Sequence, residues 1–188
     1  MKIAPSELRA DRRTSRTEPV ILFSIAGQAF AINANAIQEI RTTDSISAAA
    51  SEVSLPGIPK VRHRLRRGRK AFHVVNGCAH FGLPPSRPTQ VVVLRNHRIA
   101  ILVDSIDRME TMSVLMALPP GFCGPERLWY RGVTLVAQNV VPVVSPTGFL
   151  TEQELAQLDA AAAATVESEA ASQIAAAETN QASVERSE

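Results

Sequence analysis

Three groups of residues in this 188-residue chain have types and spacings that could do chemistry. His73, Cys78 and His80 bring two imidazoles and a thiol close together in sequence. A zinc site needs a tetrahedron of N and S donors, and the spacing H-x4-C-x-H fits no common zinc pattern and offers no evident fourth ligand. The expectation is polar residues on a surface or an edge strand. Asp104, in Leu102-Val-Asp-Ser-Ile106, follows an apolar run and has no histidine beside it in sequence. Acid–base work needs such a partner, so Asp104 reads as a strand-end or turn carboxylate. None of the motifs G-x-S-x-G, H-E-x-x-H, G-x-G-x-x-G or the phosphate-binding P-loop is present. No catalytic residue, cofactor or metal is therefore assigned, and no enzyme is expected.

The third group is the run Lys60-Val-Arg-His-Arg-Leu-Arg-Arg-Gly-Arg-Lys70, in which seven of eleven residues are Lys or Arg. In an extended strand Arg62, Arg64 and Arg66 share one face, with Val61 and Leu65 opposite. Such a strip can track nucleic-acid phosphates, dock an acidic protein surface, or simply keep a sheet edge from pairing. No Phe, Tyr or Trp is interleaved with the charges, which weakens a single-strand reading because stacking platforms need aromatics. A nucleic-acid-binding β-barrel using residues 60–70 stays as the alternative function.

These side chains must be held by something, and the chain divides into three parts. Residues 1–17 are polar and charged and are expected to be disordered. Residues 18–150 carry nearly all the Val, Ile, Leu and Phe. Residues 151–188 are rich in Ala, Glu and Ser; Thr151 and Glu154 form a capping-box pattern, and Leu155 and Leu158 lie a turn apart. A short helix followed by a flexible tail is expected. Net charge is +2 overall, yet from Thr151 onward eight acidic residues face one basic, leaving +9 for the rest. Two cysteines are too few for a disulfide framework. The N-terminus has no apolar signal region and no run is long enough to span a membrane, so a cytoplasmic protein is expected.

In the middle part the apolar runs are short. Val20–Ile25 and Ala29–Ile32 flank Ala26-Gly27-Gln28 as a hairpin. Gln90–Leu94 and Ile99–Val103 flank Asn96-His97, and Val133–Ala137 and Val140–Val144 flank Gln138-Asn139. Phe72–Val75 is a further strand, and Ala34–Arg41 fits a helical turn or a strand equally. Many short strands with proline-punctuated loops predict an all-β barrel or sandwich.

The order of these pieces resembles the CheW family of chemotaxis coupling proteins. Ala34-Asn-Ala-Ile-Gln-Glu-Ile-Arg41 looks like the family's V-x-E-I element. Leu55-Pro-Gly-Ile-Pro59, a basic turn with Arg67-Gly68, His73-Val-Val-Asn76 and Phe81-Gly-Leu83 follow the family order P-x-x-P…L-R-G-x-x-x-P-V-x-D…F-G. Ile99–Ile106, Leu118-Pro-Pro120, Trp129–Val133, Val140–Leu150 and the acidic Thr151–Asp159 continue it, so the resemblance spans about residues 20–160. It departs where His73 and Asn76 replace the family Pro and Asp, and either Arg67 or Arg69 can take the place of the family arginine.

The resemblance implies two five-stranded SH3-like β-barrel subdomains packed together, with a short C-terminal helix. It implies a non-enzymatic adaptor that couples the cytoplasmic tip of a methyl-accepting chemoreceptor to the regulatory domain of a CheA-type histidine kinase. Carried over residue by residue, it makes Ile37, Glu39, Arg67, Gly68 and Arg69 the partner-binding candidates. Read from the residues alone, Ile37 fits a core position and Glu39 fits a simple pairing with Arg41.

Overall fold

The structure, a computed structural model, describes residues 17–44, 50–53, 55–68 and 70–164. The expected tails, residues 1–16 and 165–188, and Arg69 lie outside the described residues. Among the described residues eleven strands run in chain order: β1 (Glu18–Ile25), β2 (Gln28–Asn33), β3 (Ile37–Thr42), β4 (Ala50–Glu52), β5 (Val61–Arg67), β6 (Lys70–Asn76), β7 (Gln90–Leu94), β8 (Ile99–Val103), β9 (Ser105–Met112), β10 (Tyr130–Val136) and β11 (Asn139–Val144). A short helix α1 (Gly77–Phe81) follows β6, and a longer one, α2, covers residues 152–164.

Two sheets result. The first has the order β10-β11-β2-β1-β9, so the chain's two ends build it together; the second, β3-β7-β8-β6-β5-β4, comes from the stretch between them. The chain leaving β9 bridges back to β10 at Met116 and Val133, which curls the first sheet nearly shut. The expected all-β fold is met as two sheets that do not close fully into barrels, and the second has a sixth strand in the three-residue β4.

Burial on both faces explains why the central strands β1, β7 and β8 read as continuous apolar runs, since alternate residues enter different clusters. In β1, Val20 and Leu22 point into a cluster with Ala31, Met112, Val136, Val141 and Val143 inside the first sheet. Phe23 and Ile25 point the other way. In β7, Val91 and Val93 join Leu65, Phe72, Val74 and Ala100 inside the second sheet, whereas Val92 and Leu94 face the first. Between the sheets lies the largest cluster, with Phe30, Ile32, Ile99, Ile101, Val103, Phe149 and Leu158 among its members. All the aromatic rings except Phe72 are linked in one group at this junction and its rim.

The sharpest join between the sheets is Asp104, sitting between β8 and β9. Its Oδ2 accepts the Ala26 amide at 2.6 Å and its Oδ1 accepts the Ser86 hydroxyl at 2.5 Å. Ala26 and Gly27 turn the β1–β2 hairpin with φ of 50° and 75°, the left-handed pair that a type I′ turn requires. The carboxylate thus fixes an alanine in a conformation it seldom adopts. Asp104 is the turn carboxylate the sequence suggested.

Helix α2 begins as a capping box. The Thr151 hydroxyl accepts the Glu154 amide at 3.1 Å and Glu154 accepts the Thr151 amide at 2.8 Å. Leu158 is fully buried and Leu155 partly so against the inter-sheet core, as their spacing predicted.

Candidate functional site

Beta-bulges decide where the candidate residues point. At the end of β2 the Asn33 side chain caps a one-turn 3-10 segment, Ala34–Ala36, before the chain extends into β3 at Ile37, so both readings of Ala34–Arg41 are realised in succession. Ile37 opposes Leu94, but Glu39 opposes Val93, because the register shifts between them. In a regular strand Ile37 and Glu39 would share a face. The bulge separates them: Ile37 is buried in the inter-sheet core, while Glu39 lies on the inner face of the second sheet.

A second bulge does the same in β5. Val61 opposes Val75, then His63 opposes Val74. Val61 therefore enters the inter-sheet core and Leu65 the inside of the second sheet, which corrects the expectation that both share one face. Arg64 opposes His73 and Arg66 opposes Ala71, so these two arginines remain on a common face.

Glu39 and Arg67 form an ion pair, and Arg41 Nε joins Glu39 at 3.3 Å. Three strands separate β3 from β5 in the sheet, so contact between their side chains requires the sheet to curl on itself. The pair sits at the seam of that curl and stays partly solvent-accessible. Gly68, at φ 57°, makes the β5–β6 turn beside it. The structure thus brings Glu39, Arg67 and Gly68 to one rim and places Ile37 behind it in the core, while Ile40 on the same strand is exposed.

The histidines and Cys78 are not surface residues, contrary to the sequence expectation. His73, His80 and Cys78 are all buried, because β6 is an interior strand and α1 packs under the aromatic group. Cys78 Sγ lies 3.1 Å from the Ser86 hydroxyl. His80 lies against Phe81, Trp129 and Phe149 with ring centroids 4.6, 4.6 and 4.9 Å away. Among the described residues neither of its ring nitrogens has a hydrogen-bond partner. Burial, aided by Lys60, pushes its pKa down to about 3. His73 is likewise lowered to about 4, by burial first and then by Arg64 and Arg98. Its Nε2 lies 3.1 Å from Asp159 of α2, yet that carboxylate is already engaged by Arg98 and does not reverse the shift. Among the described residues no three His, Cys, Asp or Glu groups converge as metal ligands.

Sequence reasoning missed how α2 is anchored. Lys60 Nζ meets Glu154 at 2.8 Å, and Arg98 and His73 hold Asp159. Burial opposes the charge on Glu154, but hydrogen bonds from Lys60 and Thr151 outweigh it and keep its pKa below the usual carboxylate range. Also unforeseen are exposed apolar residues on the first sheet, where Leu135 and Val140 oppose one another across the β10–β11 hairpin. A cavity of about 390 Å³ is lined by Thr43, Ala50, Glu52, His63, Val74 and Leu102 and takes in none of the candidate residues. The nucleic-acid reading gains nothing: Phe72, the aromatic opposite β5, is buried, and Lys60 and Arg67 are occupied by carboxylates.

Two curled, mutually packed β-sheets with a charged rim define the class of this protein as a pair of open, barrel-like β subdomains. The chain belongs to the family described as the CheW-like domain, which matches residues 19–154, and members of that family are non-enzymatic scaffolds of chemotaxis. Among solved structures it is similar to the scaffolding protein TtCheW from Thermoanaerobacter tengcongensis, with a TM-score of 0.58 and 12% identity, covering 73% of this chain and 95% of that one. No curated protein sequence matches it. Among the described residues no helix is long and apolar enough to cross a membrane.

Proposed function

We propose that this scaffold couples the cytoplasmic tip of a chemoreceptor to the regulatory domain of a CheA-type histidine kinase, and that it does so in the cytoplasm. Glu39, Arg67, Gly68 and Arg69 form the receptor side, and Ile37, buried behind them, supports the rim from the core. The observation that carries the reading is the Glu39–Arg67 pair, since the two positions drawn from separate motifs of the family resemblance meet at one accessible rim. The mechanism is geometric. A receptor helix needs a few apolar contacts ringed by polar groups that set its register, and the two-sheet body holds the kinase at a fixed distance from it.

Titration calorimetry with the cognate kinase regulatory domain tests the reading. Binding is expected in the low-micromolar range, about −8 kcal/mol, and no heat with no co-elution at ~100 μM refutes it. On the receptor side, Arg67→Glu is expected to weaken receptor binding by several kcal/mol, about the cost of like charges at a partly desolvated interface, and to spare kinase binding. Because Arg67 also meets Glu39, the swap Glu39→Arg with Arg67→Glu serves as control. It keeps the pair and reverses the charges offered outward. Recovery of receptor binding in the swap would mean that the pair acts through the fold and not by contact.

A further inference from the structure

We infer that residues 165–188 dock in cis on the basic face of β5, where Arg64 and Arg66 point to the same side as α2. Three observations carry this. The first is direction. Helix α2 starts at Lys60 through Glu154 and reaches Arg98 and His73 through Asp159. His73 opposes Arg64, so α2 runs along β5 in the same sense as that strand. From Asp159 the helix continues to residue 164, about 7 Å further at 1.5 Å per residue. From Arg64 to Arg66 is also about 7 Å of strand. The outgoing chain is therefore aimed along the arginines toward the β5–β6 turn.

The second observation is charge. Residues 165–188 hold Glu167, Glu169, Glu178, Glu185 and Glu188 against Arg186 alone. Arg62 and Arg66 are exposed, and among the described residues neither has a carboxylate partner. Arg95 and Arg98 are exposed in the β7–β8 loop, which precedes the β8 residue paired with His73. The third is an unmet polar group. Arg64 carries a buried Nε with no partner among the described residues. Other carboxylates of the same C-terminal part already hold cations of this face, and Glu167 and Glu169 come next in the chain. Tethering supplies an effective concentration in the millimolar range, enough for individually weak ion pairs to act together. The inference stands whether or not the receptor reading holds, because it uses only this chain's own charges.

The test is amide NMR on the full chain as wild type, as Glu167→Gln/Glu169→Gln/Glu178→Gln, and as Arg66→Glu. Spectra are compared at about 0.01 and about 0.15 M salt, across which the screening length falls from about 30 to about 8 Å. At low salt the amides of Arg64, Arg66 and Ala71 are expected to differ between wild type and the glutamine variant, and to converge as salt rises. Arg66→Glu should move the Glu167 and Glu169 amides toward their high-salt positions, and adding Glu167→Arg to it should restore docking. Identical low-salt spectra along β5 for wild type and the glutamine variant would overturn the inference. So would shifts that grow with protein concentration, which would place the tail on a second copy. Duplex DNA that shifts the β5 amides of the wild type at about 0.15 M salt, while wild type and glutamine variant share one low-salt spectrum, would also overturn it, reassigning the face to nucleic acid.

Discussion

Burying two neutral histidines makes this fold acid-labile, and His80→Phe should remove about half of that lability. His80 is enclosed by Phe81, Trp129 and Phe149, and its pKa is about 3. In the unfolded chain it returns to about 6.5. Between those values the unfolded state binds the proton and the folded state does not, so stability is complete above about pH 6.5 and falls as pH drops below it. At a pH of about 5 the loss is about 1.5 units at 1.36 kcal/mol each, or about 2 kcal/mol. His73, at about 4, adds a similar loss over the same interval. Together they remove about 4 kcal/mol of a total that is typically 5–15. A phenylalanine suits the aromatic surroundings but adds bulk, and that packing cost or gain does not depend on pH. The measured quantity is therefore the difference in urea-unfolding free energy between about pH 7 and about pH 5, wild type against variant. The variant should lose about 2 kcal/mol less than wild type over that range. Equal losses would refute the argument that His80 is buried neutral.

Other outcomes follow from single contacts. Leu158→Ala, at a fully buried position of α2, should cost about 2–5 kcal/mol by chemical denaturation, whereas ending the chain after residue 164 should leave the melting temperature nearly unchanged at about 0.15 M salt, where the inferred ion pairs of the tail are screened. Asp104→Ala strips the acceptor from the Ala26 amide and the Ser86 hydroxyl and should cost about 1–3 kcal/mol for each group left unpaired, seen as a lower urea midpoint with an unchanged slope. Gly77→Ala would place a Cβ 2.6 Å from Ile25 Cδ1 and 2.7 Å from the Leu102 carbonyl oxygen, and overpacking of that kind costs about 1–3 kcal/mol in thermal unfolding.

The apolar strands were legible because β1, β2, β7 and β8 are buried on both faces along most of their length, which leaves a run of Val, Ile and Phe with turn residues at its ends. Strands with little to bury were not legible. β9, Ser105–Met112, is a polar edge strand, and β4 is three residues long. Turn positions slipped by one residue where Ala26 and Ala137 take positive φ, since alanine gives no sign of it. Bulges were invisible as such, although an isoleucine and a glutamate two residues apart in one strand, as at Ile37 and Glu39, pose a conflict that a bulge resolves. The burial of His73 and His80 was missed for a related reason. Nothing local marks β6 as an interior strand, a property set by its pairing with β8, whose sequence lies some way downstream.

How such a scaffold could pass a signal depends on which part of it can move. Linked subdomains are expected to shift relative to one another unless their interface is large and apolar. Among the described residues the inter-sheet cluster holds eighteen buried side chains, against seven and six inside the individual sheets. Parting the sheets would thus expose more core than opening either one, and Asp104 and α2 add bonds across the same junction. The sheets should therefore unfold together, and a hinge between them is a poor place to store two states. The cheaper motion lies at the seam of the second sheet, where the Glu39–Arg67 pair, partly solvated, joins strands that three others separate. Partly exposed ion pairs contribute about 0–1 kcal/mol, so a partner that engages Glu39 or Arg67 can open or tighten this seam with ordinary binding energy while the two-sheet body stays rigid.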